Sequence, residues 1–191
     1  MNKLAILLFA LVQVVTSYAC AEQDRKGSSS DSFRKVVSQR WAYSISCPQD
    51  WKVKTYPRST NLVKADLSKG DVGISLRIYT RSSGQNFEAF LTGYLRQFKK
   101  DMQGHHRSKL EEVGSGGFAC GPHQGRFVRY QSTSSKGSWL LKEYLIPRPG
   151  TNEVFVFQAG CKWDKRGQAE KQLDAVVASL RLLDQSSSPK R

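Results

Sequence analysis

Few residues in this chain have the type and spacing that chemistry needs, and the sharpest group is Cys120-Gly121-Pro122-His123. It has the form of a C-G-P-C redox motif with histidine in place of the second cysteine, and a nearby histidine can lower a thiol pKa. Redox work also needs that cysteine at the start of a helix. Here Gly114-Ser115-Gly116-Gly117 comes before it and a strand pattern after it, so the plainer reading is a glycine–proline turn. His105-His106 is the other group of interest. Adjacent residues point in different directions and rarely chelate one ion together, so an exposed polar turn after a helix is expected there. The chain has no G-x-S-x-G, Walker loop or H-E-x-x-H. Acids are sparse and scattered, which leaves a paired-carboxylate hydrolase without candidates. No catalytic residue, metal site or cofactor is assigned.

The cysteines are Cys20, Cys47, Cys120 and Cys161. Their spacing matches neither a zinc-finger nor a haem pattern, so one structural disulfide among Cys47, Cys120 and Cys161 is expected in preference to a metal or redox role.

Cys20 ends a segment of a different kind. Lys3 supplies a positive charge, Leu4 to Val15 are mostly apolar, and Thr16-Ser17-Tyr18-Ala19 brings small residues up to the cysteine. That is the layout of a secretory signal, too short to span a bilayer, which takes roughly 20 apolar residues. Three cuts are open. Ser17-Tyr18-Ala19 and Ala19-Cys20-Ala21 both satisfy the small-residue rule, placing a cut after Ala19 or after Ala21. A lipoprotein-type cut would leave Cys20 as a diacylated N-terminus. Residues 1–19 are read as the signal, 20–38 as a flexible tether, 39–185 as one domain and 186–191 as a disordered tail. Export would place the chain in a bacterial periplasm or cell envelope, with membrane association through a Cys20 anchor if it is lipidated.

Net charge is +14, spread over Arg34-Lys35, Lys52-Lys54, Lys99-Lys100, Arg126-Arg129, Lys162-Lys165-Arg166 and Lys190-Arg191. Such a field attracts anions, with an effect that salt screens. For an exported chain the available anions are lipid headgroups, lipopolysaccharide, cell-wall polymers or an acidic protein, so no nucleic-acid partner is expected. The plainer reading is a solvated basic surface.

Strand patterns dominate the domain. Trp41 to Cys47 and Trp51 to Lys54 flank Pro48, and Leu62 to Leu67 with Val72 to Tyr79 predicts a hairpin. Val72, Ile74, Leu76 and Ile78 share one face of the latter strand. From Phe87, apolar residues recur at Phe90, Leu91, Tyr94, Leu95, Phe98 and Met102, predicting a helix with Asn86 as its N-cap and Gly104 as its stop. A short strand at Lys109 to Val113 precedes a meander of Arg126–Gln131, Ser138–Ile146 and Glu153–Gly160. A last helix capped by Asp164 would bury Ala169, Leu173, Val176, Val177 and Leu180. The expected class is α+β: an antiparallel sheet of about six strands with one long helix and a C-terminal helix packed on it. The meander places Cys161 near Ser138 and Gln131, and Cys120 at the opposite end of the strands. A strand of eight residues is about 26 Å long, so Cys120–Cys161 is disfavoured and Cys47 should be one partner in any bridge.

Tyr43-Ser44-Ile45-Ser46-Cys47-Pro48-Gln49-Asp50-Trp51 resembles the opening of the PsbP-like superfamily, which includes photosystem II PsbP subunits and DcrB-type bacterial lipoproteins. The hairpin, long helix, meander and closing helix ending in Ala178-Ser179-Leu180 resemble the same fold, from Trp41 to Leu183. Cys47 before the proline and the Cys120–His123 loop depart from that pattern. The resemblance implies a non-enzymatic, accessory or chaperone-like module that binds another macromolecule, either an envelope protein or an anionic surface. The alternatives are an envelope thiol or metal protein using Cys120 and His123, and a direct binder of anionic lipid or cell-wall polymer.

Overall fold

A computed structural model describes residues 32–56, 63–106 and 108–183. The strands are β1 (Phe33–Ser38), β2 (Tyr43–Pro48), β3 (Lys52–Thr55), β4 (Val63–Lys69), β5 (Val72–Thr80), β6 (Lys109–Cys120), β7 (His123–Ser134), β8 (Gly137–Pro147), β9 (Glu153–Lys162) and β10 (Arg181–Leu182). The helices are α1 (Phe87–His106), between β5 and β6, and α2 (Arg166–Ala178), which a short 3-10 turn at Trp163–Lys165 joins to β9. Seven strands form one sheet in the order β3-β4-β5-β9-β8-β7-β6, and β1-β2-β10 form a second. Every pairing is antiparallel. The α+β class holds, with more strands than expected.

Side-chain alternation decides which face each helix covers. On β8, Leu140, Tyr144 and Ile146 point one way, while Leu141 and Leu145 point the other. The first set joins clusters built with α2 residues. The second packs with Tyr94, Leu95 and Phe98 of α1. The helices therefore lie on opposite faces of the large sheet. Leu173, Val176 and Val177 of α2 share the main core with Tyr43 and Ile45 of β2, which sets the small sheet on the α2 side. β9 is sequestered on both faces from Val154 to Ala159, as suits a central strand.

On the other face, Phe90, Tyr94 and Phe98 stack along α1, with centroids 6.1 and 6.5 Å apart. The helix begins where expected, with the Ala89 amide donating to Asn86 Oδ1 at 2.8 Å. Gly104 does not stop it; it runs on through His106. Several other boundaries differ. Residues 33–38, expected as tether, form β1, because pairing with β2 from Phe33↔Pro48 to Ser38↔Tyr43 satisfies their backbone. β6 is a full strand of twelve residues, running past the end expected at Val113 and through Gly114, Gly116 and Gly117. Asp164 lies inside the 3-10 turn, and Lys165 takes the α2 N-cap position without a side-chain hydrogen bond. The signal segment, the first part of the tether and the tail lie outside the described residues.

Candidate binding cleft

Cys120 and His123 face each other across the β6–β7 hairpin, with Gly121 and Pro122 between them. Gly121 has φ +56°, which places a positive-φ residue first in the turn, as a II′ turn requires. This is the glycine–proline turn read from the sequence. The thiol is fully buried, with Sγ 3.3 Å from the Val177 carbonyl and 3.4 Å from that of Leu180. Burial pushes it up to about 11, against the opposing pull of Arg181 and of the bond to Leu180. It acts as a proton donor to the carbonyls that end α2. A redox role needs the opposite shift and an accessible thiol, so this geometry weighs against the thiol-protein alternative built on Cys120 and His123.

The other sequence candidates are scattered. Cys47 and Cys120 belong to the main core and Cys161 to a smaller cluster. All three are free thiols, so the expected disulfide is absent among the described residues. Cys161 pairs with Leu140, and Leu140 with Gln131, while Cys120 sits at the far end of β6; the expected register holds. Cys20 lies outside the described residues. His105 and His106 close α1 instead of forming a turn after it.

Two polar groups sit inside the domain. Beneath α2, Lys142 is 4% exposed and donates to Glu170 at 2.9 Å and Asp174 at 2.7 Å. The Tyr144 hydroxyl also donates to Asp174, and Arg129 reaches Glu170 at 3.1 Å. Beneath α1, the Tyr94 hydroxyl donates to Glu143 at 2.6 Å and accepts from Gln158 Nε2 at 3.0 Å. Burial lifts the Glu143 carboxyl to about 7, although Tyr94, Arg77 and Gln158 each pull it down. Both groups fix helices to the sheet.

One cleft of ligand size among the described residues lies at the end of the sheet where β8 begins and β9 finishes. Pairing sets Trp139 opposite Lys162, and the 3-10 turn then adds Trp163 and Asp164. With Lys136 of the β7–β8 turn and Gly137 and Ser138 at the start of β8, these residues line a half-open cleft of about 300 Å³. The Arg166 guanidinium stacks 4.2 Å from the Trp163 ring centroid and donates to the Trp163 carbonyl at 2.7 Å. Lys162 and Lys165 both reach Asp71, at 3.1 and 3.6 Å. The basic run Lys162-Lys165-Arg166 is legible in the sequence. The two tryptophans that it joins are not, because they stand far apart in the chain and only strand pairing unites them.

No family model and no curated protein matches the sequence. Solved structures do. CyanoP, the cyanobacterial PsbP of Synechocystis sp. PCC 6803, aligns over 84% of this chain and 98% of its own, with TM-score 0.64 and 12% identity. The Ran-binding protein Mog1p of Saccharomyces cerevisiae aligns over 81% and 97%, with TM-score 0.56 and 10% identity. LpqN of Mycobacterium tuberculosis, described as involved in cell envelope biogenesis, aligns over 74% and 83%, with TM-score 0.52 and 11% identity. The chain shares its fold with CyanoP, Mog1p and LpqN.

Proposed function

We propose that this chain is an exported accessory protein of a bacterial cell envelope, which binds another macromolecule and transforms no substrate. The observation that carries this reading is the fold. It is similar to that of a Ran-binding protein and of a protein of envelope biogenesis, both aligned along most of their length. The signal-like segment from Lys3 to Cys20 supports export, and the net charge of +14 favours an acidic partner or surface. A fold by itself assigns no partner.

The test is affinity capture from envelope membranes, using the mature protein, with the mass of its N-terminus measured on the same material. The expected outcome is a discrete protein complex that survives moderate salt, and an N-terminus at Cys20 (cut after Ala19) or at Glu22 (cut after Ala21). A diacylated Cys20 would add the mass of the lipid and place the anchor. Recovery of the uncleaved chain among soluble intracellular proteins would end the envelope reading.

A further inference from the structure

We propose that the outer face of β1 docks on an anionic membrane surface and orients the domain there. This deepens the proposed function and rests on it for the presence of a membrane, whereas the face itself is complete in the folded chain.

Alternation along β1 sets the face. Val36 enters the main core with Ile45 opposite it, and Arg34 reaches inward to the Trp51 carbonyl. Phe33, Lys35 and Val37 therefore point outward. Among the described residues the exposed large apolar side chains are Phe33, Val37 and Val113, at 50%, 45% and 36%. Two of these three share one face of one short strand. They lie about 13 Å apart along it, with Lys35 between them. Opposite them stand Pro48, Ser46 and Ser44, whose side chains are too small to cover them.

Charge selects the occupant. From Ser32 to Gln49 the sequence holds Arg34, Lys35 and Arg40 and no acid. Arg181 of β10 pairs with Ser44 and so belongs to the same face. A second copy fits poorly, because pairing β1 with itself brings Arg34 and Lys35 toward their own equivalents. A bilayer interface suits both features: Phe33 and Val37 enter the headgroup boundary while the Lys35 ammonium stays among the phosphates.

Position in the chain supports the same occupant. The Ser32 carbonyl accepts from the Gln49 amide at 3.0 Å, which fixes the point of entry into the domain beside Phe33. Eleven residues lie between Cys20 and Ser32, so a lipidated Cys20 would hold this face within about 40 Å of the bilayer. Docking is then intramolecular, and a patch too weak to recruit a free chain suffices.

The experiment is flotation of the mature chain from Glu22, without an acyl chain, with two kinds of vesicle. One holds phosphatidylglycerol and phosphatidylcholine in equal parts, and the other phosphatidylcholine alone. Binding is expected to the mixed vesicles. The deciding pair is K35E and K100E, which change net charge equally; Lys100 is exposed on α1, across the large sheet from β1. K35E should weaken binding about tenfold or more, and K100E by no more than about threefold. F33S with V37S should lose about tenfold and keep the thermal midpoint of the parent, since both sites are exposed. If that double variant unfolds, K35E against K100E decides.

The proposal is overturned by no flotation with the mixed vesicles at low salt, by equal binding to neutral ones, by equal losses in K35E and K100E, or by unchanged binding in a folded double variant. Polyglutamate that binds more tightly than the mixed vesicles, and loses that binding in K35E, would assign the face to an acidic protein instead. The N-terminal mass decides export separately: failure with vesicles leaves export standing, and an uncleaved intracellular chain leaves the vesicle result standing.

Discussion

Arg148 Nη2 donates to the Ala42 carbonyl at 2.7 Å, joining the end of β8 to the turn that leads into β2. Ala42 adopts φ +46°, a left-handed conformation that a non-glycine residue keeps only when its surroundings hold it. The same guanidinium donates to Leu183 at 3.1 Å, to Trp41 at 3.3 Å and to Glu153 at 2.8 Å. It is the clamp between the two sheets. R148A leaves three carbonyls and a carboxylate without this donor and should cost about 3–5 kcal/mol. R148K keeps the charge without the planar fork and should cost less. Urea unfolding measures both, and equal midpoints for R148A and the parent chain would show that the clamp contributes nothing.

Glu143 predicts a pH dependence with a definite sign. Its folded value, raised from 4.5 to about 7 chiefly by burial, means that the folded state holds its proton more tightly than the unfolded state. That contribution is fully present below about 4.5 and is lost as pH rises through 7, so stability falls across this window. Around it stand Arg77 and Tyr79 from β5, Tyr94 from α1, Tyr130 from β7 and Gln158 from β9. Those phenols are raised from 10.0 and do not titrate in the same window. E143Q should flatten the slope and gain up to about 3 kcal/mol relative to the parent between pH 5 and pH 8. A slope unchanged in E143Q would assign the dependence to another group.

The buried thiols should be silent. Cys120 and Cys161 are both pushed up to about 11, so little thiolate exists at pH 8. Alkylation of the reduced native chain at pH 8 should proceed no faster than global unfolding, and urea should release all three described cysteines together. Rapid native-state labelling of Cys120 would return the hairpin to consideration as a reactive site.

Gly125 is required by a close approach. A Cβ on it would lie 2.5 Å from the Leu145 carbonyl oxygen and 2.9 Å from Ile146 Cγ1. The first of these atoms is backbone in a central strand and cannot swing aside. G125A should therefore destabilise by about 1–3 kcal/mol, read as a lower midpoint with an unchanged denaturant slope. Full stability in G125A would mean that β7 shifts freely against β8.

The elements visible in the sequence are those whose side chains carry a period. The stripe from Phe87 to Met102 marks α1, and alternation from Val72 to Ile78 marks β5, because apolar side chains sharing one face recur at every third to fourth or every second residue. β5 is nonetheless buried on its polar face too, at Ser75 and Arg77. β6 carries no such mark. Gly114, Gly116 and Gly117 are poor strand formers taken singly, yet pairing with Arg129, Phe127 and Arg126 satisfies their backbone, and tertiary pairing overrides propensity. β1 was hidden for the same reason, with Arg34 and Lys35 reading as tether. Lys142 and Glu143 gave no sign of burial either, since two adjacent charges on a strand usually mean solvent. Here each enters a different face and meets its own helix. Trp139 and Trp163 joined the candidate cleft only through register, which no local pattern reports.

The outer margin of β6 shapes how copies of this chain meet one another. The other margin of the large sheet, β3, has only four residues and carries Lys52 and Lys54, too short and too charged to template a neighbour. β6 is three times as long, and its register shifts between Glu112 and Gly114. Lys109, Glu111 and Glu112 guard its first half, while the glycine-rich second half presents a neutral row of peptide groups. Colloidal behaviour at high concentration thus hangs on three ionic side chains and one kink, and trimming those carboxylates would favour edge-to-edge stacking before it weakened the fold.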